Sequence, residues 1–348
     1  MGEHGDARAT RLAGGPSIGV MFGTLLGALP RPAAGSGSDS VDAMIEVAVR
    51  AQEAAGLEPV TDGRLRDPDF GSFRAALLRH SRGEGPVEGW QFAAGLTDRA
   101  VKQALPGPYS VGRLLGAGED GAADGNADPG RRMRATLEAA EALGAVARGL
   151  TDAGCVLIEI EETEAHLIGE DGAERDLFRE AHRRLTAGAG SETHLSLSIV
   201  GGSAAGAGVG TILEAPYASL AVDLIAGPDN WNLVTRTPGD RGVVAGVRSA
   251  GNVDESREVM VWAAHYAASS GGRRGIDRVG LGSAGSYANL TWEAAVRKME
   301  HLGAVARLAS MPPSEDLARS LDPRAVSSRR AAVGHAAGRG ASRRERGI

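Results

Sequence analysis

The sequence predicts an α/β fold, a (β/α)8 TIM barrel, on two observations. Eight short runs of aliphatic and β-branched residues alternate with helical patterns along the chain, which favours parallel strands joined by right-handed crossovers. No glycine-rich phosphate-binding turn follows the first of these runs, so a doubly wound open sheet is the weaker alternative. In such a barrel the carboxyl ends of the strands face one pocket.

The predicted elements follow one another in a regular order. The strands are expected at residues 20–26, 57–61, 100–105, 155–160, 193–200, 220–225, 243–247 and 278–281. The clearest helical patterns cover residues 40–55, 131–152, 176–187, 254–268 and 291–309. Local signals support two of them, because Ser40 is a suitable N-cap and the last helix carries its basic residues towards its carboxyl end.

Composition divides the chain into three parts. We expect a disordered N-terminus at residues 1–16, the barrel at 17–310, and a basic, disordered tail at 311–348, where arginines are interspersed with glycine and alanine. Residues 116–131 have almost no apolar content and are predicted to form a weakly ordered loop over the barrel mouth.

Charge and cysteine content exclude several functional classes. The net charge of −6 argues against nucleic-acid binding, and no apolar run reaches the length of roughly 18 residues that a membrane helix needs. Cys155 is the one cysteine, so no intrachain disulfide can form and a reducing cytoplasm is expected. The predicted partner is a small-molecule substrate; oligomeric state is left open.

Two glutamates in the fourth predicted strand are the first candidates for chemistry. Alternation places Glu159 and Glu161 on one face and the apolar Ile158 and Ile160 on the other. The apolar face is expected to pack on helices, so both carboxylates should point into the barrel. Buried acids need compensation by cations, hydrogen-bond donors or a shared proton. A structural ion-pair network and a catalytic or ligand-binding role are both consistent with this pattern.

Further polar residues accompany other strands. His194 and Ser196 share one face of the fifth strand, Asp223 lies near the end of the sixth, and Arg248 follows the seventh. The eighth strand ends in the small-residue turn Gly282-Ser-Ala-Gly-Ser286, which includes Ser283 and would let the backbone approach a ligand. Polar groups that converge from several strand ends are typical of a binding pocket.

Five short motifs in order resemble the cobalamin-independent methionine synthase family, a relative of the uroporphyrinogen decarboxylase barrels. They are Gly27-Ala-Leu-Pro-Arg-Pro32, Thr61-Asp-Gly-Arg64, Leu105-Pro-Gly-Pro-Tyr109, Ile158-Glu-Ile-Glu-Glu162 and His194-Leu-Ser196. The resemblance covers roughly residues 17–309 and implies a barrel with its site at the strand ends. Together with the pattern of polar residues at the strand ends, it gives candidate substrate-binding positions at Arg31, Asp62, Arg64, Tyr109, Ser196, Asp223, Arg248 and Ser283, and candidate acid–base groups at Glu159, Glu161 and His194.

The departures from the family pattern concern its zinc site. The family uses His-x-Cys after strand five, a glutamate after strand six and a cysteine after strand eight; this chain has His194 but Ser196 and Ala284 where the thiolates belong. Thiolates supply much of the affinity of such a zinc site. The resemblance therefore implies no metal site of that kind, and the cofactor is left unknown.

The substrate pocket departs as well. Arg64 stands where the family has an amine-binding glutamate, which reverses the charge offered to substrate, and arginine suits a carboxylate or phosphate. The first hypothesis is a diverged enzyme that acts on a small anionic metabolite by one-carbon or alkyl transfer, or as a lyase or decarboxylase, and does not make methionine. The alternatives are an inactive binding or scaffold barrel, and an oxygen-rich iron or manganese site built from His194, Asp223 and Glu161.

Overall fold

The computed structural model describes residues 20–32, 40–67, 85–116, 129–190, 192–251, 254–312, 314, 315 and 319. The predicted N-terminal segment 1–16, residues 117–128 of the predicted loop, and nearly all of the predicted tail lie outside the described residues. The predictions for those segments therefore stay predictions.

A single parallel sheet of seven strands organises the described residues. The strands are β1 Phe22–Thr24, β2 Lys102–Pro106, β3 Leu157–Glu162, β4 His194–Ile199, β5 Ser219–Asp223, β6 Gly242–Ser249 and β7 Val279–Ala284. Their order is β1-β7-β6-β5-β4-β3-β2, and every pairing is parallel. The predicted α/β class with a parallel sheet is confirmed.

Helices connect the strands, as the alternating pattern predicts. They are α1 Val41–Ala55, α2 Pro86–Gly95, α3 Pro108–Gly116, α4 Pro129–Asp152, α5 Gly172–Ala189, α6 Val209–Ile212, α7 Trp231–Arg236, α8 Arg257–Arg273 and α9 Trp292–Ala309. Ser40 caps α1 by accepting a hydrogen bond from Ala43 N, as its position in the sequence indicates. Among the described helices, none is long and apolar enough to cross a membrane.

The predicted second strand, residues 57–61, lies between the two edge strands β1 and β2 but forms only a bridge. Glu58 N donates to Gly23 O of β1 at 2.9 Å, and Val60 pairs with Val101 beside β2. Pro59 lacks an N–H and cannot extend a ladder. The sheet is thus a curled set of seven strands, with this segment bridging its two edges.

The two faces of the sheet differ in character. Ile158 and Ile160 of β3 are fully buried in the large core that the sheet forms with its helices. The opposite face, inside the curl, carries a smaller apolar cluster of Leu26, Val200, Ala221 and Val244. Lys102 of β2 and Glu159 and Glu161 of β3 lie on this inner face, so the alternation of β3 sets the position of the candidate site.

Candidate functional site at the carboxyl ends of the strands

Backbone contacts join three loops at the carboxyl edge of the sheet. Leu29 N in the turn after β1 donates to Gly63 O at 2.9 Å, and Tyr287 N after β7 donates to Ala28 O at 2.8 Å. Gly27 has a φ of 80°, and a side chain there would collide with the backbone of Ser286. The first and second sequence motifs, residues 27–32 and 61–64, therefore pack together, as their positions after strands predict. We call this part of the carboxyl edge of the sheet the rim.

Arg64 and Glu161 meet at this rim. Arg64 Nη1 donates to Glu161 Oε2 at 2.9 Å, and the two side chains are 12% and 5% exposed. Glu161 lies one residue before the end of β3, and Arg64 follows the bridging segment 57–61. The structure therefore brings together two residues that the sequence analysis assigned to one site, and it joins them directly.

The turn that carries Arg64 has an unusual backbone. Arg64 has a φ of 53°, the only positive φ of a non-glycine residue among those described. Asp62 Oδ1 accepts a hydrogen bond from Arg64 N at 2.8 Å and so holds this conformation, while Thr61 Oγ1 accepts one from Gly63 N at 3.0 Å. Burial raises the pKa of Asp62 despite the nearby arginines. Strained backbone of this kind concentrates at functional sites.

Glu159 lies one step deeper, paired with a lysine. Lys102 Nζ donates to Glu159 Oε1 at 2.9 Å and to Leu25 O at 2.6 Å, and both charged side chains are almost completely buried. Burial raises the pKa of Glu159, and the charge of Lys102 opposes that shift. The structure therefore places Glu159 in a closed ion pair inside the curl, below the rim.

His194 and Ser196 lie towards the opposite end of the sheet. His194 is the first residue of β4 and pairs in register with Leu157, whereas Glu161 pairs with Ser198. This separation of four residues corresponds to about 13 Å along the strand. His194 Nε2 contacts Ser219 Oγ at 2.8 Å, and burial lowers the pKa of its ring. The structure does not bring His194 to the Arg64–Glu161 pair.

A cavity of about 390 Å³ opens beside His194 on the amino-terminal side. Its wall combines apolar side chains such as Phe22 and Val244 with Lys102, Glu159 and Ser196. The Ser196 hydroxyl is buried without a hydrogen-bond partner. Three residues predicted from the sequence, Glu159, His194 and Ser196, therefore line one cavity at the end of the sheet away from the rim.

Tyr109 and Ser283 have structural contacts. The Tyr109 hydroxyl donates to Glu174 Oε2 at 2.5 Å, and its ring packs on Phe178 in the helical layer. Ser283 Oγ accepts from Leu26 N at 2.7 Å and donates to Leu26 O at 3.0 Å, which ties β7 to the chain after β1. Both residues therefore stabilise the elements next to the rim.

Three other predicted binding residues are dispersed. Asp223 Oδ1 accepts hydrogen bonds from Ile225 N and Ala226 N at 2.8 Å each, and burial raises its pKa. Arg31 is exposed within the 27–32 turn. Arg248 is bound by Asp254 at 2.7 Å and by Glu255 at 3.0 Å, so its guanidinium is committed to the loop before α8.

Sequence reasoning missed a network behind β3. Glu162 is fully buried on the helix-facing side and accepts from Tyr109 N at 2.9 Å and Ser110 N at 2.8 Å, the first turn of α3. His182 Nε2 lies 3.0 Å from the same carboxylate, and its Nδ1 lies 2.6 Å from the Tyr217 hydroxyl. A carboxylate at a helix N-terminus is favourable. The signal in the sequence was Glu162 itself, an acid on the face of β3 where the alternation otherwise has apolar residues. It lies opposite the Pro106-Gly-Pro108 turn.

The residues present do not fit the zinc site of the resembled family. The carboxyl end of β4 carries Ser198, Ile199 and Val200, and β7 ends in Ala284, none of which is a zinc-type ligand. Within the described ranges, no group of three or more His, Cys, Asp and Glu side chains is placed to hold a metal ion. The oxygen-rich site suggested by the sequence is not assembled either, because His194 lies far from Glu161 along the sheet.

Comparison with known proteins supports the family resemblance. No family model matches the sequence. A methionine synthase from Methanothermobacter thermautotrophicus is 31% identical over 143 residues, which cover 34% of this chain and 44% of that protein. The chain thus matches less than half the length of this curated relative.

Solved structures show the same fold at low sequence identity. A B12-independent methionine synthase from Shewanella sp. W3-18-1, in complex with selenomethionine, has a TM-score of 0.63 at 15% identity, over 83% of this chain and 97% of that one. A methyltransferase from Methanosarcina mazei has a TM-score of 0.54 at 14% identity, over 84% and 94%. The partial sequence match confirms the resemblance to methionine synthases that the motifs indicated, and the solved structures show that the fold is shared.

Proposed function

We propose that this chain is a diverged methionine synthase-like barrel enzyme. It binds a small anionic metabolite at the carboxyl ends of its strands and catalyses a one-carbon or alkyl transfer without a thiolate zinc site. The sequence match to a methionine synthase supports the reaction class. The presence of Arg64 supports the choice of an anion, since by the resemblance a guanidinium replaces the family's carboxylate at that position.

The observation that carries this proposal is the conformation of Arg64. Its φ of 53° costs stability on the order of 1–3 kcal/mol. Such a conformation persists only where the surrounding structure fixes it, and these positions cluster at functional sites. The backbone bonds to Asp62 and the contact between Leu29 and Gly63 provide that fixation. The turn thus places the Arg64 guanidinium within hydrogen-bond distance of Glu161.

Each partner has a distinct chemical role in the proposal. The Arg64 guanidinium offers several N–H groups, of which one is bonded to Glu161, so others can bind a substrate carboxylate or phosphate. Glu161, beside that anion, would transfer a proton to or from the reacting group. Glu159 and Lys102 would support the floor of the site as a neutralised pair.

We also propose that the fold is a complete eight-stranded barrel and that the protein is cytoplasmic. Segment 57–61 would act as the eighth strand, since it already bonds to β1 and bridges to Val101 beside β2. Cys155 is a free, buried thiol whose pKa burial raises to about 11, and such a thiol suits a reducing compartment.

A second candidate is a binding barrel without catalysis. The charged groups inside the curl neutralise one another, Lys102 with Glu159 and Arg64 with Glu161, as in a structural network. In that case Glu161 would hold Arg64 in place for a ligand but transfer no proton.

Calorimetric titration with small carboxylates tests the proposal. Succinate and glutarate serve as dianionic probes and L-homocysteine as the family's amino-acid probe, with wild-type protein and Arg64→Gln. We expect a dicarboxylate to bind and homocysteine to bind more weakly, because Arg64 repels an ammonium group. Loss of one charged hydrogen bond should weaken dicarboxylate binding in Arg64→Gln by about tenfold or more.

The matched control is Arg183→Gln, which removes an exposed arginine of α5 that pairs with Glu180. Its affinity for each probe should equal that of the wild type. Tighter binding of homocysteine than of either dicarboxylate, or equal binding by Arg64→Gln and wild type, would contradict the proposed anion site.

A further inference from the structure

A second charged cavity lies between the carboxyl end of β6 and helices α8 and α9. Its volume is about 560 Å³, and its lining shares no residue with the rim that holds Arg64 and Glu161. The charged and titratable residues that line it are Arg248, Asp254, Glu255, Arg257, Arg297, Lys298 and His301. Of the site residues predicted from the sequence, Arg248 alone lines this cavity, and the proposed function does not use it.

Lys298 carries the strongest signal in this cavity. Its side chain is 7% exposed, yet Nζ forms no hydrogen bond, and the nearest acidic oxygen is Asp254 Oδ1 at 3.6 Å. Arg248 Nε is also buried without a hydrogen-bond partner. Glu255 Oε1, an acceptor in the same lining, is also buried without a hydrogen-bond partner. Buried polar groups are normally bonded, so the two unbonded cationic nitrogens, which outnumber this one acceptor, favour a hydrogen-bonding anion in the cavity.

The charge balance of the lining favours an anion. Arg248, Arg257, Arg297 and Lys298 are cationic side chains, while Asp254 and Glu255 are the two acids. Both acids bind Arg248, and Glu255 also accepts a hydrogen bond from Ser249 N at 3.1 Å. The cavity therefore has an excess of positive charge in a chain whose net charge is −6.

The positive end of a helix faces the same space. Ser256, which also lines the cavity, caps α8 and accepts a hydrogen bond from Val259 N, so the first turn of this helix starts at the cavity wall. The Asp254 carboxylate, 76% exposed, bonds to Arg248 and approaches Lys298. The Asp254 carboxylate therefore occupies a position where an anionic oxygen is favourable. Because this side chain is exposed, it can move away when another anion binds there.

We propose that this cavity binds a phosphate group, either inorganic phosphate or the phosphate monoester of a small metabolite. A phosphate dianion offers several acceptor oxygens, which matches the nitrogens of Lys298, Arg257 and Arg297 and the start of α8 better than a single carboxylate does. The site is separate from the anion site proposed at Arg64, so each can fail without the other.

Calorimetric titration with inorganic phosphate and, separately, with adenosine 5′-monophosphate tests this proposal at constant ionic strength. The variants are Lys298→Met, which keeps the length of the side chain, and Ala294→Glu, which places a carboxylate on the cavity wall without removing a buried group. Circular dichroism establishes that each variant is folded. Arg183→Gln is the control, and Arg64→Gln tests whether a probe binds at the rim instead of in this cavity.

We expect at least one probe to bind with one site per chain, and Lys298→Met and Ala294→Glu to weaken it by about tenfold or more. Binding of inorganic phosphate identifies the free ion as sufficient, and binding of the nucleotide alone identifies a monoester. No saturable binding of either probe would overturn the proposal. Equal binding by wild type and folded Ala294→Glu, or loss of binding in Arg64→Gln instead, would overturn it as well.

Discussion

Lys102 of β2 and Glu159 of β3 form an ion pair of 2.9 Å inside the curl of the sheet, and their side chains are 1% and 2% exposed. Arg64 and Glu161 form a pair of the same length at the rim, with 12% and 5% exposure. Each pair joins a cationic side chain to a glutamate of β3, but the two pairs differ in depth. We therefore expect the deeper pair to stabilise the fold and the outer pair to bind ligand.

Lys102→Met should lower the free energy of unfolding by about 3–5 kcal/mol, because it leaves the Glu159 carboxylate buried without its cation. Urea unfolding followed by circular dichroism measures the change. The double variant Lys102→Met/Glu159→Met should recover most of that loss, since it removes both charges. A double variant no more stable than the single one would argue against a mutually compensating pair.

Gly107→Ala should destabilise the chain strongly. A Cβ atom at this position would collide with the carboxyl group of Glu162, and Glu162 is fixed by the first turn of α3 and by His182. The matched control is Gly95→Ala at the end of α2, where a Cβ atom meets nothing within 4 Å. Thermal melts should show a lower midpoint for Gly107→Ala alone; equal midpoints would contradict the close contact.

Asp223→Asn should stabilise the protein at neutral pH and have little effect in acid. Burial raises the pKa of Asp223 above its ordinary value of 3.8, so the folded state binds this proton more tightly than the unfolded state does. The stabilisation from proton binding is present below 3.8 and is lost as the pH rises through the raised pKa. Asparagine can still accept the hydrogen bonds from Ile225 and Ala226 without this cost.

Thermal melts of wild type and Asp223→Asn between about pH 4 and pH 8 measure this dependence. The difference in midpoint should grow with pH and level off above the raised pKa. Asp229→Asn, at an exposed position six residues later in the chain, is the control for the substitution itself. A difference that stays constant across this range would refute the assignment.

Purified protein should contain no stoichiometric zinc. Ser196 and Ala284 stand where the resemblance puts the family's thiolates, so the ligands that bind zinc tightly are missing. Elemental analysis after dialysis checks this. One tightly held zinc ion per chain would require a site that the described residues do not show.

The parallel α/β sheet and the inward face of β3 follow from local pattern. The alternation of apolar and acidic residues in Ile158-Glu-Ile-Glu-Glu162 requires Glu159 and Glu161 to share a face, and the structure has them there. Arg64 was also predictable as a rim residue, because the Thr61-Asp-Gly-Arg64 turn follows a short apolar run. These features depend on neighbours within a few residues.

The remaining features depend on partners distant in the sequence. Lys102 lies inside the predicted third strand, but its partner Glu159 is 57 residues away, and no local signal connects them. His194 was expected near the glutamates, yet the register of β4 against β3 sets it beside Leu157. Arg248 was expected to bind substrate, and the two acids that bind it come from the loop before α8. Register and loop packing are not encoded in local periodicity.

The most direct test of the central claim compares Glu161→Gln and Arg64→Gln in thermal melts and in dicarboxylate titration. A ligand site predicts midpoints within a few degrees of wild type, loss of binding in Arg64→Gln, and retained binding with lost turnover in Glu161→Gln once a substrate is found. A structural pair predicts midpoints lowered by about ten degrees or more in both variants, on the order of 3–5 kcal/mol. That result, with dicarboxylate affinity unchanged in folded Arg64→Gln, would contradict the assignment of Arg64 and Glu161 as the functional site.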